Sequence, residues 1–339
     1  MEMIKNTYRN QFIVMAILFI FILITFFLSL NLGHIKIAPL EVIQTLFGSG
    51  TSENKLVLFD FRLPRMVIAL LIGAGLGISG AILQGVSQNG LADPGILGIN
   101  AGAGLAVVIF IFFFQGSMTS LGTLSIFMMP IFALIGGVFA AFLIYTLAWK
   151  GGVTPTRLIL VGIGINAAFG AGLIIFQLKM NPNDFMQATV WLSGSIWGAN
   201  WKFVLTVLPW ILILIPFTMY KASSLNVLNL GDEMATGLGV AVEKERRILL
   251  LTSVGLAGAC VAVGGGISFL GLVAPHLARR LVGSKHQVLL PATALIGALL
   301  LLVADMIGRN LLAPSEIPVG LVVSALGAPY FIYLLIKVN

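Results

Sequence analysis

Long hydrophobic runs alternate with short polar stretches along the whole chain. Most runs hold roughly 18 to 22 residues, enough for an α-helix rising 1.5 Å per residue to cross about 30 Å of hydrocarbon. The eighth run is shorter and contains Pro275. The approximate bounds are 12–31, 65–87, 96–114, 124–148, 157–177, 203–220, 247–265, 267–282, 288–307 and 317–336. This pattern predicts an all-α, polytopic membrane protein with about ten transmembrane helices.

The composition agrees with a membrane protein. The chain has 339 residues, of which 59% are hydrophobic and only 9% charged, and its mean hydropathy is +1.07. A soluble domain carries about a quarter charged residues, so a water-soluble globule is excluded. The net charge is +7, but the basic residues lie between hydrophobic runs, where they orient helices. We therefore expect the protein to lie in a lipid bilayer and not to bind nucleic acid.

The distribution of basic residues predicts the topology. An even number of spans puts both termini on one side of the membrane. With a cytoplasmic amino terminus, twelve Lys and Arg residues fall on the inner side and seven on the outer side. This excess predicts cytoplasmic termini. The first run is too long for a signal-peptide core and lacks an Ala-x-Ala site, so we expect it to remain as a helix.

No sequence pattern for catalysis is present. The nucleotide-binding pattern Gly-x-x-x-x-Gly-Lys-Ser/Thr is absent, as are His-Glu-x-x-His and Gly-x-Ser-x-Gly. Cys260 is the only cysteine, and the three histidines are not spaced as a metal site on one helix. We expect a protein that is not an enzyme, with no catalytic residue, no cofactor and no bound metal.

The positions of the acidic residues indicate how transport could be powered. Only Asp305 lies within a hydrophobic run, close to its end, and Arg309 follows four residues later as an intrahelical partner. Ion-coupled carriers usually place a carboxylate near the middle of the membrane. A secondary carrier is therefore disfavoured, and we expect the energy for transport to come from another subunit. A self-powered carrier and a membrane scaffold without a solute remain alternatives.

Two basic residues at the start of the second run form a possible docking point. Arg62 and Arg65 flank Pro64, which suits the first turn of a helix, and they should share one helix face. Arg309, at the outer end of the ninth run, could join them. The functional interpretation is docking of an acidic soluble partner, and the alternative is two basic side chains that reach the membrane interface.

Two loops on the expected cytoplasmic side are also distinctive. Asn89–Pro94 reads as a rigid turn, either an ordinary loop or part of a gate. In the loop 221–246, Asp232 is predicted to cap a short helix that Gly239 ends. Such an amphipathic helix could lodge in a cleft of another protein or be an ordinary surface helix. His276, beside Pro275, is interpreted as a packing residue.

Together and in this order, these segments resemble the cobalamin/ferric-siderophore permease family of ABC importers, the type II importers. The resemblance extends over nearly the whole chain. It rests on Arg62-Leu-Pro-Arg65, Gly77-Ile-Ser-Gly-Ala-Ile-Leu-Gln84, Leu91-Ala-Asp-Pro94, Trp191-Leu-Ser-Gly194, Leu230-Gly-Asp-Glu233 with Leu238-Gly239, Gly271-Leu-Val-Ala-Pro-His276, Leu289-Leu-Pro291, Ala304-Asp305 with Arg309, Glu316-Ile-Pro-Val-Gly320 and Gly327-Ala-Pro329.

The resemblance implies a type II importer fold, with residues 1–339 forming one transmembrane permease domain in a bacterial cell membrane. The expected partners are a second permease subunit, two ATP-binding subunits and an extracytoplasmic binding protein. In this family, acidic residues of the binding protein meet permease arginines, and Arg62, Arg65 and Arg309 occupy the matching positions. Asn89, Leu91, Pro155 and Thr156 match the positions that form the inner gate in this family. The coupling helix matches Gly231, Asp232, Glu233, Ala235 and Gly239.

One position departs from the family pattern. Gly90 stands where the family usually has proline, and this puts the stiffness of the gate loop in doubt. The resulting Asn-Gly pair resembles one half of the two-component siderophore permeases of Bacillus-like bacteria, which favours a heterodimer. Ferric siderophores are therefore the expected cargo, and heme and cobalamin remain alternatives.

Overall fold

The computed structural model describes residues 2–33, 35, 37–95, 98–114, 125–150, 152 and 154–337. All regular secondary structure in these ranges is helical. The helices are α1 (Glu2–Asn31), α2 (Pro39–Leu46), α3 (Ser52–Lys55), α4 (Leu63–Ser87), α5 (Ile99–Phe114), α6 (Ser125–Ala148), α7 (Pro155–Gln177), α8 (Pro182–Leu192), α9 (Trp201–Tyr220), α10 (Ala222–Leu228), α11 (Asp232–Gly237), α12 (Val242–Gly264), α13 (Leu270–Val282), α14 (His286–Asn310) and α15 (Val319–Lys337).

Each of the ten hydrophobic runs contains a helix, and the prediction of an all-α polytopic membrane fold is confirmed. Within the described residues, seven helices are long and apolar enough to cross a membrane. The apolar helices α5 and Val319–Tyr333 of α15 are shorter. The eighth run forms α13, which has only 13 residues with Pro275 inside. The sequence pattern did not indicate α8, which has only 11 residues.

Helix α4 lies at the centre of the bundle, in contact with α9, α12, α13 and α14. Its small residues allow close approach. A Cβ atom added at Gly73 would lie 2.4 Å from the carbonyl oxygen of Gly297 in α14, and one at Gly80 would lie 1.8 Å from that of Gly271 in α13. Small residues at Gly73 and Gly80 therefore let α4 approach α14 and α13 closely. By contrast, a Cβ added at Gly170 meets no neighbouring atom within 4 Å in the described part of the chain.

A π-helical segment, Leu56–Arg62, joins α3 to α4 so that the helix runs without a break from Ser52 to Ser87. Pro64, in the first turn of α4, has no backbone N–H to donate, and the preceding Leu63 N–H bonds five residues back to Leu58. This segment fixes the direction in which Arg62 leaves the helix.

The length of α4 separates two ends of the molecule. Arg65 lies in its first turn and Asn89 lies just beyond its last turn, roughly 36 Å away at 1.5 Å per residue. We call these the arginine end and the loop end. Helix α14 runs in the opposite direction, because its first residue, His286, lies beside Gly85 and its Arg309 lies at the arginine end.

Candidate functional site

At the arginine end, two of the three predicted docking arginines pair with one carboxylate, that of Asp305. Arg65 Nε lies 2.7 Å from Asp305 Oδ1, and Arg309 Nε lies 3.0 Å from Asp305 Oδ2. Arg65 also pairs through Nη1 with Glu316 at 2.7 Å. Because Asp305 is fully buried, it can hold its charge here only with these cations beside it. The pairing of Asp305 with Arg309 predicted from their spacing is confirmed.

Arg62 has a different environment. Its guanidinium donates to the backbone carbonyl oxygens of Leu30 and Ile35, which belong to the end of α1 and the segment that follows it. Arg309 additionally donates to Ser29 in α1. Two of the three arginines therefore fasten α1 to the core.

The cluster keeps a positive balance, because three guanidinium groups meet two carboxylates. It lines a cavity of about 190 Å³ that also includes Gly33, Ile35, Val57, Phe61 and Pro314. Arg62 and Arg309 are only 5% and 7% exposed, however, and the Arg65 side chain is 12% exposed. The structure thus brings the three residues together, as their predicted common role requires, but places them inside the cavity wall instead of on an open surface.

At the loop end, the predicted gate residues Asn89 and Leu91 form one tight turn. The Asn89 side chain accepts a hydrogen bond from the Leu91 N–H at 2.9 Å, and the Ala92 N–H donates to the Asn89 carbonyl oxygen at 3.1 Å. A Cβ added at Gly90 would meet no neighbouring atom within 4 Å of those that the structure describes. The turn is therefore ordered by Asn89, and the missing proline does not prevent its formation.

Pro155 and Thr156, the other two predicted gate residues, lie in the first turn of α7. Thr156 is exposed, and among the hydrogen bonds of the described residues none joins it to Asn89 or Leu91. The structure therefore divides the predicted gate into a turn after α4 and the start of α7. Gln88 instead links the turn to the loop 221–246, since its side-chain amide donates to the Leu228 carbonyl oxygen at 2.9 Å.

The predicted coupling residues form the short helix α11 and its two ends. Gly231 precedes the helix with φ 99°, a conformation that favours glycine. Gly239 follows it with φ 81°, and the Gly239 and Val240 N–H groups bond to the carbonyls of Thr236 and Ala235. This is a Schellman termination, as predicted for Gly239.

The predicted cap by Asp232 is wrong. Gly231 takes the N-cap position, and Asp232 is the first helical residue, with no side-chain cap. The Asp232 carboxylate instead accepts a hydrogen bond from Arg246 Nη2 in α12 at 2.7 Å, and Arg246 also pairs with Glu243 at 3.1 Å. A charged guanidinium donates a stronger hydrogen bond to a carboxylate than a backbone N–H does. This explains why Asp232 pairs with Arg246 and does not cap α11.

The outer face of α11 carries exposed apolar side chains. Ala235 is fully buried against the protein, whereas Met234 and Leu238 are more than 60% exposed and Leu230 is 55% exposed. Glu233 is also exposed. Several exposed apolar residues within a charged, anchored loop are typical of a surface that meets another protein. Sequence reasoning missed Arg246, the residue that anchors this helix.

The sequence profile of the FecCD transport family matches residues 20–337. This chain belongs to that family. It is 65% identical over 335 residues to the iron(3+)-hydroxamate import system permease protein FhuG of Bacillus subtilis (strain 168), covering 99% of this chain and 100% of that one. It is 45% identical to the iron-uptake system permease protein FeuC of the same organism, over 95% and 96% of the two chains.

A solved structure agrees with FecCD membership. An inward-facing metal-chelate type ABC transporter superposes with a TM-score of 0.83 at 30% identity, covering 96% of this chain and 99% of that one. The resemblance stated from the sequence motifs is therefore confirmed, and so is the expectation of a multi-pass membrane protein of a transport family. The FecCD fold places the arginine cluster and α11 at opposite ends of the same helical bundle.

Proposed function

We propose that this FecCD protein is the transmembrane permease subunit of an ATP-driven importer that carries ferric siderophores, with ferric hydroxamates as the first candidates. The observation that carries this proposal is the 65% identity with FhuG across the full length of both chains. The chain itself supplies the pathway, and its short helix α11 receives the driving force.

The assembly contains a second permease subunit, different from this chain, and two ATP-binding subunits. The exposed apolar residues Met234 and Leu238 of α11 suit a cleft of an ATP-binding subunit. Arg246 fastens α11 to α12, so a push on α11 reaches a helix that packs along α4. The residues 221–246 are then the cytoplasmic coupling loop of one permease domain, and ATP is hydrolysed in the other subunits.

The arginine end receives the binding protein in this account. Its excess of positive charge attracts acidic side chains on the lobes of a soluble receptor and orients them. Arg65 is the most accessible of the three arginines, and Arg62 and Arg309 contribute charge while they hold the cavity wall. This side faces away from the cytoplasm, and both termini of the chain lie in the cytoplasm of a bacterial cell.

Transport then follows alternating access, because ATP binding and hydrolysis bias which end of the bundle is open. The turn at Asn89 and Leu91 and the start of α7 at Pro155 and Thr156 form the gate at the loop end. A receptor captures the scarce chelate, so the membrane pathway needs only weak contacts with it.

Uptake by a deletion strain tests the cargo. We expect cells lacking this chain to lose uptake of radiolabelled iron presented as a hydroxamate chelate and to regain it with the plasmid-borne gene. Citrate and catecholate chelates, heme and labelled cobalamin serve as the comparison panel. Unchanged hydroxamate uptake together with loss of heme or cobalamin uptake would replace the proposed cargo.

A co-purification experiment tests the partners separately. We expect an ATP-binding subunit to co-purify with the tagged chain and to be lost when Met234 and Leu238 are changed to Asp. The matched control is Leu311→Asp, an equally exposed apolar residue at the arginine end. Retention of the ATP-binding subunit by the double variant would remove α11 from the coupling role.

A further inference from the structure

An apolar cleft opens between α6 and α12 near the loop end. Its cavity volume is about 270 Å³. The floor consists of buried side chains, whereas the rim residues are about half to two-thirds exposed. The floor residues are Leu83, Ile99 and Leu158, and the rim residues are Val138, Phe142 and Leu251. In a transmembrane bundle such a cleft faces either hydrocarbon or another transmembrane chain.

A single cation stands at the mouth of this cleft. Arg247, in the second turn of α12, lines the same cavity. Its guanidinium lies 6.0 Å from the ring centre of Tyr145 and 5.6 Å from that of Trp149, and its Nε donates to the Tyr145 hydroxyl at 3.1 Å. Tyrosine and tryptophan concentrate at the membrane–water interface, so this aromatic platform places the cation at the depth of lipid headgroups.

Arg247 differs from its neighbour in its charge balance. Arg246 pairs with the carboxylates of Asp232 and Glu243. In the part of the chain that the structure describes, no carboxylate lies within ion-pair distance of Arg247. The guanidinium is exposed and held in place by uncharged rings, so its donors remain available to an external anion.

We propose that this cleft binds one anionic phospholipid. The lipid phosphate accepts hydrogen bonds from Arg247, and part of one acyl chain lies on the floor between α6 and α12. Basic pockets between transmembrane helices that bind acidic headgroups follow the same chemistry. A zwitterionic lipid presents a cationic group beside its phosphate and fits this lone cation less well.

A cation at the depth of the lipid headgroups lies beside an apolar cleft, and this combination favours a lipid over a protein side chain. A carboxylate from a partner would satisfy Arg247 but would leave the apolar floor empty. An apolar partner helix would fill the floor but would bury the guanidinium without a counter-ion, which is costly. One molecule with a phosphate joined to a hydrocarbon chain satisfies both requirements.

Native mass spectrometry of the full-length chain in detergent tests the proposal. The probes are phosphatidylglycerol and phosphatidylcholine of equal chain length, with glycerol phosphate as a competitor that lacks the chain. We expect the wild-type chain to retain phosphatidylglycerol preferentially. Arg247→Gln should weaken phosphatidylglycerol binding by at least about tenfold and remove the preference, because a charge-assisted bond is lost. Ala141→Trp, which fills the cleft, should weaken binding of both lipids.

Arg280→Gln is the matched control, since Arg280 also lies over a tyrosine ring, 6.0 Å from the centre of Tyr333, but does not line this cavity. Equal binding by wild type and Arg247→Gln would overturn the proposal, as would an equal loss in Arg280→Gln or full displacement by glycerol phosphate. In the assembled complex, cross-linking of Phe142→Cys to another subunit would also overturn it.

Discussion

The side-chain amide of Gln88 donates to the backbone carbonyl oxygen of Leu228 at 2.9 Å. Gln88 ends α4 in the left-handed conformation, with φ 49°, immediately before the turn at Asn89. Leu228 ends α10 and is buried, three residues before Gly231 at the start of the coupling helix. One hydrogen bond thus connects the proposed gate to the proposed coupling loop.

Removing this bond should weaken the transmission of movement to the gate. We expect Gln88→Leu to lower ATP-dependent iron uptake about two- to tenfold at unchanged membrane level, since one hydrogen bond contributes about 0.5–1.5 kcal/mol. Uptake per unit of chain is the measurement. Thr206→Val is the control, because its hydroxyl bonds to Lys202 within its own helix. Equal uptake by the two variants would argue against a link through Gln88.

The Arg246 ion pairs should determine how firmly α11 is held. The side chains of Asp232 and Glu243 are 48% and 41% exposed, so water hydrates both carboxylates in Arg246→Gln. Each lost ion pair should therefore lower the free energy of unfolding by only about 1 kcal/mol. We expect this variant to fold. Its backbone amides in residues 231–239 should exchange hydrogen faster than in the wild type, and cells carrying it should take up less iron. Hydrogen exchange and uptake are the measurements. Lys244→Gln, an exposed residue of the same helix, should change neither, and a rigid α11 in Arg246→Gln would contradict the anchoring role.

Arg65 and Arg62 should differ in their effect on receptor docking. Arg65→Gln should weaken binding of the receptor protein, most strongly at low ionic strength, because salt screens charge–charge attraction between docking surfaces. Arg62→Gln should lower the free energy of unfolding by about 1.5–3 kcal/mol, since bonds from its charged guanidinium to Leu30 and Ile35 are lost. Thermal unfolding should show a loss of stability in both variants, because Arg65→Gln also removes a cation beside the buried Asp305. Receptor affinity of the folded variants at two salt concentrations is the measurement that assigns docking to Arg65. An Arg65→Gln chain with unchanged affinity at low salt would remove Arg65 from docking.

Gly80 should tolerate no side chain at all. Its added Cβ would lie 1.8 Å from a backbone oxygen of Gly271, so Gly80→Ala must push α4 away from α13, at a cost of about 1–3 kcal/mol or more. We expect a lower unfolding temperature and less protein in the membrane. Gly164→Ala is the control, because a Cβ added there would meet no neighbouring atom within 4 Å among the residues that the structure describes. Equal stability of the two variants would show that this helix contact is looser than described.

The membrane-spanning helices could be predicted because most hydrophobic runs are long enough to cross a bilayer, a local property of the sequence. The Asp305–Arg309 pair was predictable for the same reason, since four residues make one helical turn. Arg65 reaches Asp305 across 240 positions, and Arg246 reaches Asp232 across a loop. Such pairs depend on tertiary packing, and no local pattern indicates them.

The burial of Arg62 could not be predicted either. Its position beside Pro64 indicated a basic residue at a helix start, but its partners are backbone carbonyls at Leu30 and Ile35. Every residue has a backbone carbonyl, so the sequence does not mark which ones accept a bond. The motif order indicated the family, and family membership in turn gave the positions but not the exposure of the proposed docking residues.

Transport by purified components in liposomes shows whether this chain is a conduit driven by ATP hydrolysis in other subunits. We expect that the chain alone never concentrates a ferric hydroxamate against its gradient, with or without an ion gradient. With its permease partner, ATP-binding subunits and receptor present, accumulation should require hydrolysable ATP. Accumulation by the chain alone would show that it carries its own energy source, and the proposed function would be wrong.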